Sequence, residues 1–207
     1  MRILRDDESS TRMNNIALVL LAAGGSTRMG TPKQLLPYQG RPLIRHAAET
    51  ALASGCDPVV VVLGSHVEEI RTALDGLEVV VVENTEWEKG MGTSIRAGIS
   101  GAEILGCEGA ILGLADQPLV SAEILKRLVE EHEETGRPII ASEYAGTVGV
   151  PAFFTSEFFP KLKALLPSEG CKGLILAHLD QSIRIGCPEA ETDIDTSGDD
   201  QSVSGKS

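Results

Sequence analysis

Continuous apolar runs alternate with amphipathic stretches along this chain. Residues 16–21 read IALVLL and residues 58–63 read PVVVVL, the latter with four consecutive valines between Pro58 and Gly64. Short β-branched runs bounded by Pro or Gly predict strands buried on both faces. Residues 78–82, 110–114, 138–142 and 182–185 read as further strands, and 148–154 as extended. The intervening patterns predict helices over 42–53, 66–74, 91–105, 121–135, 158–166 and 173–179. Pro42 suits the first turn of its helix. Ser121, followed by Glu123, Ile124 and Leu128, reads as an N-cap ahead of an apolar stripe. Strand–helix alternation of this kind predicts an α/β fold, with a mostly parallel sheet and helices on both faces. Ligands of such sheets bind beyond the carboxyl ends of the strands, so the loops after Leu21, Leu63, Val82 and Leu114 are the ones to read for function.

The length of 207 residues suits one domain, which the pattern places at 15–196, with 1–14 and 197–207 expected as disordered ends. Hydrophobic residues make up 42% and aromatic ones only 3%, so the core must be built from Val, Ile, Leu and Ala. The net charge of -12 argues against a nucleic-acid or anionic-membrane surface, which needs basic patches. No apolar run is long enough to span a bilayer and residues 1–14 hold no signal-peptide stretch, which predicts a cytoplasmic protein. Cys56, Cys107, Cys171 and Cys187 form no C-x-x-C and have no His at zinc-ligand spacing, so reduced, buried thiols are expected.

The loop after the first strand reads Ala22-Ala23-Gly24-Gly25-Ser26-Thr27-Arg28-Met29-Gly30, then Thr31-Pro32-Lys33-Gln34. Small residues let the backbone approach a ligand, and consecutive N–H groups can cradle phosphate oxygens. Arg28 and Lys33 add positive charge suited to a polyphosphate. Three other Gly-loop chemistries fail on spacing. A P-loop needs Lys-Ser/Thr after Gly30, where Thr31-Pro32 stands. The dinucleotide pattern needs glycine at Ser26, and the hydrolase elbow needs glycine at Arg28.

Leu21-Ala-Ala-Gly-Gly-Ser-Thr-Arg-Met-Gly30, then Pro32-Lys33-Gln34-Leu35-Leu36 and Gly40-Arg-Pro-Leu43, resembles the molybdenum cofactor cytidylyltransferases, members of a wider group of Rossmann-like nucleotidyltransferases. The resemblance continues through 84–98, with Asn84-Thr-Glu-Trp-Glu-Lys-Gly-Met-Gly-Thr-Ser94, through Leu114-Ala-Asp-Gln-Pro118, and to Asp193-Ile-Asp-Thr196. It implies that Arg28 and Lys33 contact the triphosphate, that the backbone at Ala22, Ala23, Gly24 and Gly25 approaches the nucleotide, and that Gly92 and Ser94 help to hold base or ribose. It further implies that Asp116 coordinates Mg²⁺, with Asp193 or Asp195 completing the metal shell. Arg28, Lys33 and Asp116 are then the catalytic set. A carboxylate just past an apolar strand can point into the ligand crevice, and Mg²⁺ needs few protein oxygens when it also binds phosphates.

The implied reaction transfers a nucleoside monophosphate from an NTP to a phosphorylated small-molecule acceptor, with release of pyrophosphate. Ala22-Ala23 matches the cytidylyl members and favours CTP, and the implied acceptor is a molybdopterin cofactor destined for a molybdenum enzyme. Two segments depart from the family pattern: Val148-Gly149-Val150-Pro151 lacks a basic residue before its glycine, and Ser168-Glu169-Gly170-Cys171-Lys172-Gly173 replaces a Gly-Asp and Gly-Ala-Arg run. They leave open a sugar phosphate or isoprenoid-precursor phosphate as acceptor, and a non-catalytic nucleotide-binding accessory protein. The four histidines, at 46, 66, 132 and 178, fall within or at the start of predicted helices and read as packing or surface residues.

Overall fold

The computed structural model describes residues 15–25 and 30–193. The ends expected to be disordered, 1–14 and 197–207, lie outside the described residues. In chain order the elements are β1 (Ile16–Leu21), β2 (Pro37–Tyr38), β3 (Arg41–Pro42), α1 (Leu43–Ala53), β4 (Val59–Leu63), α2 (Val67–Ala73) and β5 (Val80–Glu83). They continue with α3 (Met91–Ile104), β6 (Gly109–Leu114), α4 (Ala122–Thr135), β7 (Ile139–Tyr144), β8 (Thr147–Thr155), α5 (Phe159–Lys163), α6 (Lys172–Leu176) and β9 (Ser182–Gly186).

Seven strands form one sheet in the order β5-β4-β1-β6-β8-β7-β9. The pairs β5/β4, β4/β1, β1/β6 and β7/β9 are parallel, while β8 runs antiparallel to both of its neighbours. The valines of β4 are buried along their whole length, as a strand covered on both faces requires. Successive side chains point to opposite faces. Val19, Val60 and Val62 join a core with Ile95 and Ile99 of α3, Leu162 of α5 and Ile175 of α6. Leu18, Leu20, Val59 and Val61 join a second core with Ile44 and Ala48 of α1, Ile70 of α2 and Leu128 of α4. The α/β expectation holds, with helices on both faces of a mostly parallel sheet.

Three local differences from the sequence reading have physical causes. Residues 37–42 form a two-residue hairpin, β2 and β3, too short for any hydrophobic period to announce. The helix expected over 158–166 is a 3-10 turn, Ser156–Phe158, followed by α5, which stops at Lys163. Pro167 lies ahead and disfavours helical backbone in the residue before it. The helix expected over 173–179 ends at Leu176. There the His178 ring nitrogen Nδ1 lies 2.9 Å from Leu174 O, and the His178 N–H turns instead to Ile175 O, the tighter 3-10 pattern.

Candidate functional site

The sheet reverses its winding at β1. From β1 the chain places β4 and β5 on one side, then crosses to β6 on the other. Leu21 and Leu114 stand in register, so the two strands end level with each other. The loops that follow leave the sheet at a topological switch point, where α/β folds open their ligand crevice.

Two charges meet there. Lys33 sits in a 3-10 turn, Lys33–Leu35, that ends the loop after β1. Asp116 lies in the turn just beyond β6. Lys33 Nζ donates to Asp116 Oδ2 at 2.8 Å across 83 residues of sequence, and the side chains are 19% and 30% exposed. That exposure leaves the pair within reach of a ligand but partly shielded from water, which strengthens a charge interaction relative to a fully solvated one. Asp116 Oδ1 is buried and has no hydrogen-bond partner among the described residues.

Each charge is followed by a buried glutamine. Gln34 Nε2 donates to Ala22 O at 2.7 Å and to Gly24 O at 2.8 Å, and so ties the loop to the 3-10 turn. Gln117 Nε2 donates to Ala190 O at 2.7 Å and brings the segment after β9 against the tip of β6. Sequence reasoning assigned neither residue a role. The available signal was adjacency, a polar residue next to each candidate charge, but polarity alone does not tell a buried tie from a surface amide.

The rest of the crevice wall comes from the loops after β4 and β5. Trp87, in a 3-10 turn after β5, packs on two glycines: a Cβ on Gly25 would fall 2.5 Å from its Cη2, and one on Gly64 2.5 Å from its Cγ. The indole is a loop anchor. Asn84 Nδ2 donates to Thr93 Oγ1 at 2.8 Å and to Ser94 Oγ at 3.0 Å, fixing the first turn of α3. Gly92 in that turn admits close contact, since a Cβ there would stand 2.1 Å from Leu166 O. Its N–H donates to Pro167 O at 2.9 Å. Both Gly92 and Ser94 are buried and engaged in these internal contacts.

The profile of the MobA-like NTP transferase domain matches residues 18–182. The chain belongs to this family. Among its relatives, nicotine blue oxidoreductase of Paenarthrobacter nicotinovorans is 43% identical over 117 residues, which is 55% of this chain and 55% of that one. The MobA-like chain therefore spans little more than half of that relative's length. Purine catabolism protein PucB of Bacillus subtilis is 34% identical over 171 residues, 76% of this chain and 78% of that protein. The crystal structure of Rv0371c from Mycobacterium tuberculosis superposes with a TM-score of 0.71 at 33% identity, covering 94% of this chain and 100% of that one. The same protein is also known as a complex with manganese, with a TM-score of 0.68 at 29% identity.

Of the residues singled out from the sequence, the MobA-like fold brings Ala22, Ala23, Gly24, Gly25, Lys33 and Asp116 to one strand-tip crevice. Arg28 and Asp195 lie outside the described residues. Asp193 is exposed and close enough to raise the pKa of Tyr144, to which burial contributes more. Of the two segments that depart from the family pattern, 148–151 lies in β8, where Gly149 packs under the Tyr144 hydroxyl. In the other, Gly170 faces Met91 at the start of α3. No helix among the described residues is long and apolar enough to cross a membrane.

Proposed function

We propose that the protein transfers the nucleoside monophosphate of an NTP, CTP by preference, to a phosphorylated acceptor of the molybdopterin-cofactor type. The observation that carries this reading is the Lys33–Asp116 pair at the switch point, beside a loop of small residues. The acceptor's phosphate oxygen forms a bond to the α-phosphorus, the bond from that phosphorus to the bridging oxygen breaks, and its electron pair leaves with pyrophosphate. A phosphate nucleophile is already ionised at neutral pH, so the site needs no strong base. Lys33 supplies positive charge to the phosphate oxygens as negative charge shifts onto the leaving group, and Arg28 is assigned the same role from the sequence. Backbone N–H groups of the loop hold the triphosphate in place, and Gly92 and Ser94 shape the wall against base and ribose.

The oxygen chemistry of Asp116 fits a divalent cation such as Mg²⁺. Its Oδ1 is a buried acceptor without a donor among the described residues, while Oδ2 already faces a cation. Asp116 would hold the ion, with Asp193 and Asp195 as further carboxylates, and the ion would supply neutralisation of phosphate charge. The manganese complex of the mycobacterial relative supports a divalent site in this fold.

A pyrophosphate-release assay with Mg²⁺, each of the four NTPs and a panel of acceptors tests the reading. Release with CTP and a molybdopterin-type acceptor is expected. Release only with a sugar phosphate or an isoprenoid-precursor phosphate would move the acceptor assignment, and release only with GTP would move the nucleotide. NTP binding without release on any acceptor would favour the accessory-protein reading. The 43% identity to a relative named nicotine blue oxidoreductase motivates one more arm. Redox turnover of nicotine blue without pyrophosphate release would replace nucleotidyl transfer with that chemistry.

A further inference from the structure

We infer that Gln34 is the positioning residue of the phosphate cradle, acting through the two carbonyls it holds. The inference rests on the nucleotidyl-transfer reading. Gln34 is 7% exposed, and its carboxamide faces Ala22 O and Gly24 O, two acceptors that only the –NH₂ end can satisfy. The assignment leaves Oε1 buried and, among the described residues, without a donor, a penalty that two donated bonds offset. Gly24 O also accepts from Ser65 Oγ at 3.2 Å, and Ala23 O accepts from Ser65 N at 3.4 Å. Three consecutive carbonyls are thus held by protein donors.

The consequence follows from peptide geometry. The peptide bonds here are trans, and in a planar trans peptide the N–H points opposite to the C=O. Holding Ala22 O and Gly24 O on Gln34 therefore turns the N–H groups of Ala23 and Gly25 away from it. No described group accepts from the N–H of Ala23, Gly24 or Gly25. Gly24 is exposed and Gly25 partly so, which leaves that end of the loop open to an oxygen anion. Without the Gln34 bonds the Gly24–Gly25 peptide keeps only the longer Ser65 Oγ bond against rotation, and glycine permits almost any dihedral. Gln34 also follows Lys33 directly, so one 3-10 turn orients the donors of the loop and delivers the cation that faces Asp116.

The test titrates CTP and inorganic tripolyphosphate, each with Mg²⁺, into the full-length chain and its Gln34→Leu and Ser65→Ala variants by calorimetry, with melting temperatures recorded. Gln34→Leu is expected to weaken both ligands about tenfold or more, and Ser65→Ala, which leaves the Gln34 bonds in place, by roughly two- to fivefold, where tenfold corresponds to about 1.4 kcal/mol. Unchanged affinity in Gln34→Leu overturns the inference. So does a loss confined to CTP with tripolyphosphate binding intact, which would place the effect at the base or ribose. Should Gln34→Leu fail to fold, Gln34→Glu, which keeps the size but puts an acceptor where the donating –NH₂ stood, decides, and unchanged affinity for both ligands in that variant overturns the inference. A wild-type chain that binds tripolyphosphate but none of the four NTPs sinks the transfer reading and leaves the cradle standing. Binding of neither ligand sinks both.

Discussion

Lys33 and Asp116 pair across the crevice, so removing either changes the site twice: it deletes a charge and breaks the bond that positions the other. Under the proposed mechanism, Lys33→Ala and Asp116→Ala should each slow turnover by about 10²-fold or more, the scale of losing one transition-state donor. The double variant should be little worse than the more damaged single one, because groups that act as a unit are not additive. Pyrophosphate release at saturating substrate measures this, and near-normal rates in both single variants would contradict the mechanism. Elsewhere, single residues act through burial alone. All four described cysteines are free and buried. Burial pushes the Cys171 thiol from an ordinary 9.0 up to about 12. Above pH 9 the unfolded chain releases that proton while the folded chain keeps it. Stability should therefore fall as pH rises from 9 towards 12, by up to about 1.4 kcal/mol per pH unit for one such group. Cys171→Ala should flatten that slope in urea unfolding series at pH 8 to 11. An identical slope in the variant would show that Cys171 does not titrate in this way.

At the scale of elements, two helices invite opposite experiments. α3 lies so close to the sheet that a Cβ on Gly98 would stand 2.3 Å from Val19 Cγ1 and 2.9 Å from Val62 Cγ2. Gly98→Ala should therefore destabilise the protein by about 1–3 kcal/mol, the usual range for overpacking a core. Because α3 carries Gly92 and Ser94, NTP affinity should fall with it. In α4, Ser121 Oγ accepts from Ile124 N at 3.4 Å as the N-cap. Ser121→Ala should cost about 1 kcal/mol of stability with no change in NTP affinity. Chemical denaturation and NTP titration of the two variants check both statements, and a stability loss in Ser121→Ala that carried affinity down with it would refute the separation. The same elements show what was readable from the chain. The valine run of β4 and the Ser121 cap announced themselves because both-face burial and N-capping leave local marks in residue type. The hairpin at Pro37–Pro42 did not, since two-residue strands are specified by pairing rather than by periodicity. Lys33 and Asp116 were legible as candidates because charges beside strand ends stand out. Gln34 and Gln117 were not, because what each holds is a backbone carbonyl, of Ala22 and Gly24 or of Ala190, and carbonyls have no sequence signature.

At the scale of the whole molecule, the winding of the sheet gathers the tips of β1, β4 and β5 around one side chain. Gly25 follows β1, Gly64 follows β4 and Trp87 follows β5, and the indole lies against both glycines. Trp87 is the only tryptophan in a chain of net charge -12. The overall field of such a chain opposes a polyanion, so binding must come from the converging loops rather than from general electrostatic attraction. A triphosphate settling over the β1 loop would then change the surroundings of this single fluorophore. Titrating an NTP with Mg²⁺ should shift or quench its emission, with a midpoint that matches calorimetry on the same sample. The emission change should vanish in Trp87→Phe while calorimetry still reports binding, because Phe keeps an aromatic ring over the two glycines. Saturable binding with silent emission in the wild-type chain would place the nucleotide away from the strand tips, and the Lys33–Asp116 pair would then be a structural ion pair rather than the centre of a transferase site.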